Sequence, residues 1–243
     1  LPLLIPIQPE RNMTAYLGVN LAVLLIATLA SSSVIASGLI SLFQMRADSD
    51  TPAALAALAT VTQGVALMVV PDSFHLKEGG IYFCAAVAAL WFNSLGKGMM
   101  IRRIERNFAI ASADAKRVGM FLAADCRLAD ELTEGQELSD PVVAYSAPCE
   151  FPEKFLRLSY TDDSGQGILR ILSPLFLAFA ALLSVFSGVL FHNPLLVNLT
   201  VFNAVMCIAC PLTATMVQNL PLLRASKKLS AVGAFLSGLE AAE

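Results

Sequence analysis

Charged side chains are scarce in this chain of 243 residues. Aspartate, glutamate, lysine and arginine together make up 14% of it, whereas hydrophobic residues make up 56% and the mean hydropathy is +0.68. These values lie well outside the range of soluble domains, in which about a quarter of the residues are charged. The composition therefore predicts an integral membrane protein and excludes an ordinary soluble enzyme.

Histidine is nearly missing as well, since only His75 and His192 occur. Both precede or follow apolar stretches, so the long polar segment of the chain has no histidine to act as the base of a serine or cysteine hydrolase. Its cysteines, Cys126 and Cys149, have no CxxC arrangement and do not predict a zinc site. No P-loop motif occurs, no feature supports nucleic-acid binding, and the odd total of five cysteines does not form a disulfide framework.

Five long apolar stretches are present instead, each close to the length of about 20 residues that a helix needs to cross a bilayer. The predicted spans are residues 15–43, 52–70, 81–101, 171–191 and 195–217. We therefore expect a mainly α fold, namely a polytopic α-helical membrane bundle of about five transmembrane helices with a small cytoplasmic α+β insert.

Small and capping residues refine the first two spans. The serines at 31–33 predict a face of the first span that packs against another helix, because small side chains let helices approach closely. Asp50 and Thr51 are candidate caps for a second span that begins at Pro52, and its many alanines again predict close packing.

The only long connection is a polar segment, residues 102–170. With this connection on one side of the predicted membrane, 14 of the 16 basic residues lie on that side, and only Arg11 and Lys77 lie on the other. Since positive charge accumulates on the cytoplasmic side, the N-terminus is expected outside and the insert and C-terminus inside, in the plasma membrane. Within the insert, residues 141–145 and 155–160 have the pattern of short strands.

The predicted domains follow from these spans. They are a first group of transmembrane helices at residues 1–101, a reduced insert at 102–170, a transmembrane hairpin at 171–223 and a terminal link at 224–243. The chain opens at Leu1 without the features of a signal peptide, so we expect it to be a piece of a longer protein.

The last span carries a thiol pair beside a proline. Cys207 and Cys210 are three residues apart and share one helix face, while Pro211 cannot donate its backbone hydrogen bond to the preceding turn. Two sulfurs beside freed carbonyls can bind a soft cation such as Cu(I) or Zn(II). The alternative stays open, because cysteine also packs as a small hydrophobe and membrane helices tolerate proline.

Further residues bear on the predicted metal site and on the surroundings of the last span. Cys84 of the third span is a candidate third sulfur ligand. The polar side chains of the last span predict that it faces the bundle interior rather than lipid, and they are Asn198, Asn203, Gln218 and Asn219.

Three segments resemble the membrane region of the heavy-metal-transporting P-type ATPases of the CPx type. The first segment runs from the last span to the C-terminal end. In it, residues 210–212, Cys-Pro-Leu, are similar to the CPx motif of that family, and residues 238–243 follow with the spacing of its GG-E-A-L-E ending. Residues 82–86, Tyr-Phe-Cys-Ala-Ala, are similar to the family's YFEAA segment, and residues 50–55 resemble its MDTLVAL segment.

The resemblance implies a membrane domain that moves a soft cation, such as Cu(I) or Zn(II), through Cys207, Cys210 and the position of Cys84, with Pro211 as a helix kink. Its partners would be the lipid bilayer, the metal ion and cytoplasmic ATPase domains of a longer protein, which would bring ATP and Mg. The chain itself contains no phosphorylation or nucleotide-binding domain, so we expect no ATP hydrolysis by it alone.

The chain also departs from the family pattern. Leu212 replaces the second motif cysteine, Cys84 replaces a glutamate, and the short insert has no Thr-Gly-Glu-Ser motif. The two substitutions leave the identity of the ion open. The short insert without that motif favours an alternative, a catalytically inactive relative that keeps the membrane fold and acts as a structural, regulatory or sensing protein.

Overall fold

The computed structural model describes residues 12–69, 80–113, 116–122, 131–135, 143–149, 155–160 and 164–236. The chain forms two compact units, residues 1–103 with 162–225 and residues 104–161 with 226–243. The helices are α1 Met13–Ala30, α2 Ser32–Phe43, α3 Asp50–Val69, α4 Phe83–Ala111, α5 Phe155–Ser159, α6 Ser164–Phe191, α7 Leu195–Ala209 and α8 Ala214–Ser230. The strands are β1 Val118–Leu122 and β2 Ala144–Pro148.

Five helical segments of the described residues are long and apolar enough to cross a membrane. They are Met13–Ala30, Asp50–Val69, Phe83–Ala111, Gln166–Phe191 and Leu195–Ser230. The predicted mainly α bundle with a small α+β insert is thereby confirmed, and the apolar helices support an integral membrane protein.

The first predicted span, residues 15–43, is divided at Ser31. The Ser31 amide donates to the Ala27 carbonyl oxygen at 2.9 Å and ends α1, and α2 begins one residue later. Ser32 and Ser33 are exposed, so the predicted packing face is wrong. Serine is a weaker helix former than the alanines and leucines around it, and three in a row lower the cost of a break.

The N-terminus of α3 is capped by Asp48, two residues before the predicted cap Asp50. The Asp48 carboxylate accepts hydrogen bonds from the amides of Asp50 and Thr51, at 3.0 and 3.2 Å. The Thr51 hydroxyl in turn accepts from the Asp48 amide at 3.2 Å, as in a reciprocal capping arrangement. Because Asp48 satisfies the free amides, the carboxylate of Asp50 is available for other contacts.

Helix α3 is the centre of the first unit. It packs against α1, α2 and α7 and contributes to all three buried clusters of that unit. The alanines that allow this approach are almost fully buried, and they are Ala53, Ala54, Ala56 and Ala57. The predicted close packing of the alanine-rich span is confirmed.

The second unit contains the small sheet. Strands β1 and β2 are antiparallel, with Phe121 opposite Tyr145 and their rings stacked at a centroid distance of 5.7 Å. Strand β2 overlaps the first predicted strand, of which residues 141–142 lie outside the described residues.

The second predicted strand, at residues 155–160, is wrong. This segment forms α5, and its buried residues, Phe155 and Ser159, are four apart as a helix face requires. The Phe155 ring packs against those of Phe108 and Phe235, at centroid distances of 5.8 and 6.2 Å. Burial against these rings, all in the second unit, explains why the apolar run folds as a helix rather than a strand.

Candidate functional site

The last predicted span, residues 195–217, is interrupted rather than merely kinked. Helix α7 ends at Ala209, Cys210 has extended backbone angles (φ −76°, ψ 115°), and α8 begins at Ala214. Pro211 accounts for this geometry, because a proline pushes the preceding residue out of the helical region and donates no hydrogen bond. By contrast, Pro174 and Pro221 lie inside continuous helices, so proline alone does not impose a break.

Both thiols beside the break are buried inside the first unit. Cys207 is 8% exposed and Cys210 is 7% exposed. They belong to one core cluster, whose other buried members are Val34, Ala53, Ala56, Ala57, Ala89 and Leu90 from α2, α3 and α4. The two sulfurs therefore lie in the protein interior and not on the outer surface of the bundle.

Cys84 does not join them. It is exposed at the second residue of α4 and is absent from the cluster that holds Cys207 and Cys210. Over the described part of the chain, no three or more histidine, cysteine or acidic side chains come together in a group that could hold a metal ion. The pair Cys207 and Cys210 is thus the part of the predicted ligand set that the fold brings together.

A set of uncharged polar side chains connects α3 to α7 next to these sulfurs. We call it the amide cluster, and it consists of Thr60, Gln63, Thr200 and Asn203. All four side chains are at least nine-tenths buried, and Asn203 is fully buried. Of the four polar residues predicted to face the interior, only Asn203 is fully buried, whereas Asn198, Gln218 and Asn219 are partly buried.

Hydrogen bonds join every member of the amide cluster. The Gln63 amide nitrogen donates to Thr200 Oγ1 at 3.0 Å and to the Gly80 carbonyl oxygen at 3.1 Å. The Asn203 amide nitrogen donates to Gln63 Oε1. The Asn203 carbonyl oxygen accepts from Thr60 Oγ1 at 2.9 Å and from Cys207 Sγ at 3.4 Å. The network thereby fixes the position of the Cys207 sulfur.

A second polar set lies near the N-terminal end of α3. We call it the charged cluster, and it consists of Asp50, Asn93 and Lys97. The Asn93 amide nitrogen donates to Asp50 Oδ1 at 2.6 Å, and the Lys97 ammonium pairs with Asp50 Oδ2. Asp50 is 1% exposed and Asn93 4% exposed, whereas the Lys97 side chain is 35% exposed. The carbonyl oxygen of Asn93 is buried without a hydrogen-bond partner.

A signal for both clusters is present in the sequence, although no motif marks it. Thr60 and Gln63 are three residues apart in an apolar span, and Asn93 and Lys97 are four apart in the next one. Polar side chains at helical spacing within the bilayer usually face protein or a water-filled cavity. This rule points to the helix faces but does not identify their partners.

No family model, no curated protein and no solved structure matches this chain. The resemblance to the heavy-metal ATPases therefore depends on three short segments, and residues 238–243 of one of them lie outside the described residues. The fold and the site define a polytopic helical membrane protein with a broken last span and a buried thiol pair.

Proposed function

We propose that this chain is the membrane domain of a transporter for a soft cation, similar to the heavy-metal P-type ATPases, and that Cys207 and Cys210 hold the ion. One observation carries the proposal. The last span is interrupted at Cys210, and the two thiols beside that point are buried in one core cluster.

The interruption supports a binding site because breaks in membrane helices are restricted to particular surroundings. Non-helical backbone at membrane depth is tolerated only where protein buries it or where it lines a cavity. Transporters use such interrupted helices near the middle of the bilayer to bind their substrates through freed backbone groups. A thiol pair at an interruption therefore fits a binding role better than a thiol pair inside a continuous helix.

The chemistry of the pair favours Cu(I) over Zn(II). Structural zinc is almost always held by four ligands, and even catalytic zinc has three protein ligands. Among the described residues only two thiols come together, and Cu(I) is a soft ion that thiolates select. Because the ligands must lose their protons, binding should release protons and weaken at low pH.

The proposed orientation in the membrane and the proposed driving force are those expected from the sequence. The insert and the C-terminus would be cytoplasmic and the membrane would be the plasma membrane, because the basic residues lie on one side. Transport of this kind requires phosphorylation and nucleotide-binding domains as partners, which would use ATP and Mg to drive the ion through the bundle.

Cu(I) binding to the purified protein in detergent tests the proposal. We expect one tightly bound ion per chain, and a loss of affinity of at least about tenfold in Cys207→Ala and in Cys210→Ala, since each removes one of two thiolate ligands. Cys84→Ala is the matched control and should bind as the wild type does. Unchanged binding in the double variant Cys207→Ala with Cys210→Ala would refute the thiol site.

A second function rests on the surroundings of the same sulfurs. Cys207 already hydrogen-bonds Asn203, and the core cluster around the pair is apolar, as expected for cysteines that only fill a core. The chain would then be an inactive relative that acts as a structural, regulatory or sensing membrane protein. In that case the double alanine variant would lose stability, while Cu(I) would neither bind nor stabilise the wild-type protein.

A further inference from the structure

The hydrogen bonds of the amide cluster have one direction, which starts at the backbone of α7 and ends at Cys207. Thr200 Oγ1 donates its single hydrogen to the Leu196 carbonyl oxygen at 2.9 Å, so towards the Gln63 amide nitrogen it accepts. Gln63 Oε1 then has to be an acceptor as well, and it accepts from the Asn203 amide nitrogen. The carbonyl oxygen of Asn203 is therefore the end of its amide group that faces Cys207.

A carbonyl oxygen at this place suits a thiol but not a thiolate. The Cys207 thiol donates its hydrogen to Asn203 Oδ1 at 3.4 Å. Once an ion replaces that hydrogen, the charged sulfur lies against an oxygen that can only accept. Asn203 cannot turn its amide group round, because its oxygen would then face Gln63 Oε1. The loaded sulfur therefore needs a different donor.

The hydroxyl of Thr60 is a donor within reach of that sulfur. It is fully buried, and its oxygen is 3.5 Å from Cys207 Sγ, a pair in which either atom can donate. Its one hydrogen has two other acceptors, Asn203 Oδ1 at 2.9 Å and the Ala56 carbonyl oxygen at 2.7 Å. A hydroxyl hydrogen rotates to suit its acceptors, so it can pass from one of these to the sulfur without a movement of the heavy atoms.

We propose that Thr60 is a positioning residue of the ion site, whose hydroxyl donates to the Cys207 thiolate when an ion is bound and to an oxygen acceptor when the site is empty. The inference rests on the proposed function, since it needs Cu(I) at Cys207. On binding, the S–H bond breaks, its electron pair forms the bond from sulfur to Cu(I), and the proton leaves to solvent. No atom is oxidised or reduced.

The buried surroundings make this one hydrogen bond important. The described core cluster around the two sulfurs is otherwise apolar, so it offers little else to compensate the charge of a thiolate. A hydrogen bond to an ionised acceptor is about twice as strong as one between neutral groups. Removing the partner that bonds a metal ligand typically costs about 10- to 100-fold in metal affinity.

Competition with a Cu(I)-specific chelator on the purified full chain in detergent tests the role of Thr60. Thr60→Val keeps the shape of the side chain without its hydroxyl, and we expect it to bind Cu(I) about tenfold more weakly than the wild type. Thr60→Ser keeps the hydroxyl and should restore nearly all of the affinity. Thr62→Val is the matched control on the same helix, because the Thr62 hydroxyl donates to the Leu58 carbonyl oxygen on the exposed side.

Infrared spectroscopy of the empty protein separates this role from a structural one. The S–H stretching band of Cys207 is the band that is lost in Cys207→Ala. Because the thiol donates to Asn203, we expect this band to stay in the hydrogen-bonded range in Thr60→Val as in the wild type. A shift to the position of a free thiol would mean that Thr60 maintains the empty site, and it would overturn the proposal.

The outcomes distinguish the failure of this inference from that of the proposed function. If Cys207→Ala loses Cu(I) affinity while Thr60→Val binds as tightly as the wild type, the thiol site stands and the role of Thr60 is wrong. A loss in Thr60→Val that Thr60→Ser does not restore would come from packing and would also overturn the role. If the variant without both Cys207 and Cys210 binds as the wild type does, the proposed function fails and this inference fails with it.

Discussion

The amide cluster and the charged cluster are both buried on α3, yet they satisfy their polar atoms differently. In the amide cluster, the side-chain nitrogens and oxygens of Gln63 and Asn203 all have partners. In the charged cluster, Asp50 is paired on both oxygens while the Asn93 carbonyl oxygen has none. Uncharged amides can saturate one another inside a bundle, whereas a buried carboxylate attracts the available donors and leaves acceptors behind.

The order of these groups along α3 places the thiol pair between the two clusters. Asp50 comes first, the alanines at 53, 56 and 57 that share a core cluster with both cysteines follow, and Thr60 and Gln63 come last. The amide cluster contacts Cys207 directly through Asn203. The charged cluster acts on the same core only by holding α3 against α4. One cluster therefore orients a sulfur, and the other fixes the helices around it.

The largest effect should come from removing the charge that pairs with Asp50. We expect Lys97→Ala to lower the free energy of unfolding by about 3 kcal/mol, because it leaves a buried carboxylate without its counter-charge. This value is the lower end of the usual range, since water reaches the partly exposed Lys97. SDS-induced unfolding of the purified protein measures it.

The double variant Asp50→Asn with Lys97→Met is the control for that loss. It removes both charges and keeps similar side-chain volumes, so most of the lost stability should return. If the double variant were as unstable as Lys97→Ala, the lost stability would not come from the unpaired charge of Asp50.

A smaller loss is expected from the amide cluster. Asn203→Leu leaves Gln63 Oε1 and the Thr60 and Cys207 donors with fewer partners, and we expect about 2 kcal/mol of destabilisation in the same unfolding measurement. Asn219→Leu is matched in chemistry, but Asn219 is only partly buried and its amide nitrogen bonds the Thr215 carbonyl oxygen. It should change stability by less than about 1 kcal/mol; an equal loss in both variants would show that the network adds nothing.

The spans are predictable from sequence because the bilayer restricts both the length and the composition of a crossing helix. The disturbance at Pro211 is predictable as a kink, since a proline without an amide proton is visible in the sequence. The division at Ser31 and the helical form of residues 155–159 could not be predicted, because the local preferences there are weak and packing decides the conformation.

The partners within the site could not be predicted for a different reason. Gln63 and Asn203 are 140 residues apart in the chain, and Asp50 and Asn93 are 43 apart. Helical spacing tells which side chains share a face, but only the packing of α3 against its neighbours brings these pairs together. The separation of Cys84 from the other two cysteines is hidden from the sequence for the same reason.

The smallest expected effect tests whether α4 is held close to α8 beside the charged cluster. Gly96 precedes Lys97, and a Cβ at this position would lie 2.7 Å from the Thr215 carbonyl carbon. Since the backbone of Thr215 cannot move aside as a flexible side chain can, we expect Gly96→Ala to lower the free energy of unfolding by about 1 kcal/mol.

Gly98→Ala is the matched control on the same helix, because nothing lies within 4 Å of the place that its methyl group would occupy. That control should gain up to about 1 kcal/mol from helix propensity. If both variants gained stability, α4 and α8 would not be in close contact at Gly96, and the fixed framework inferred for the charged cluster would be wrong.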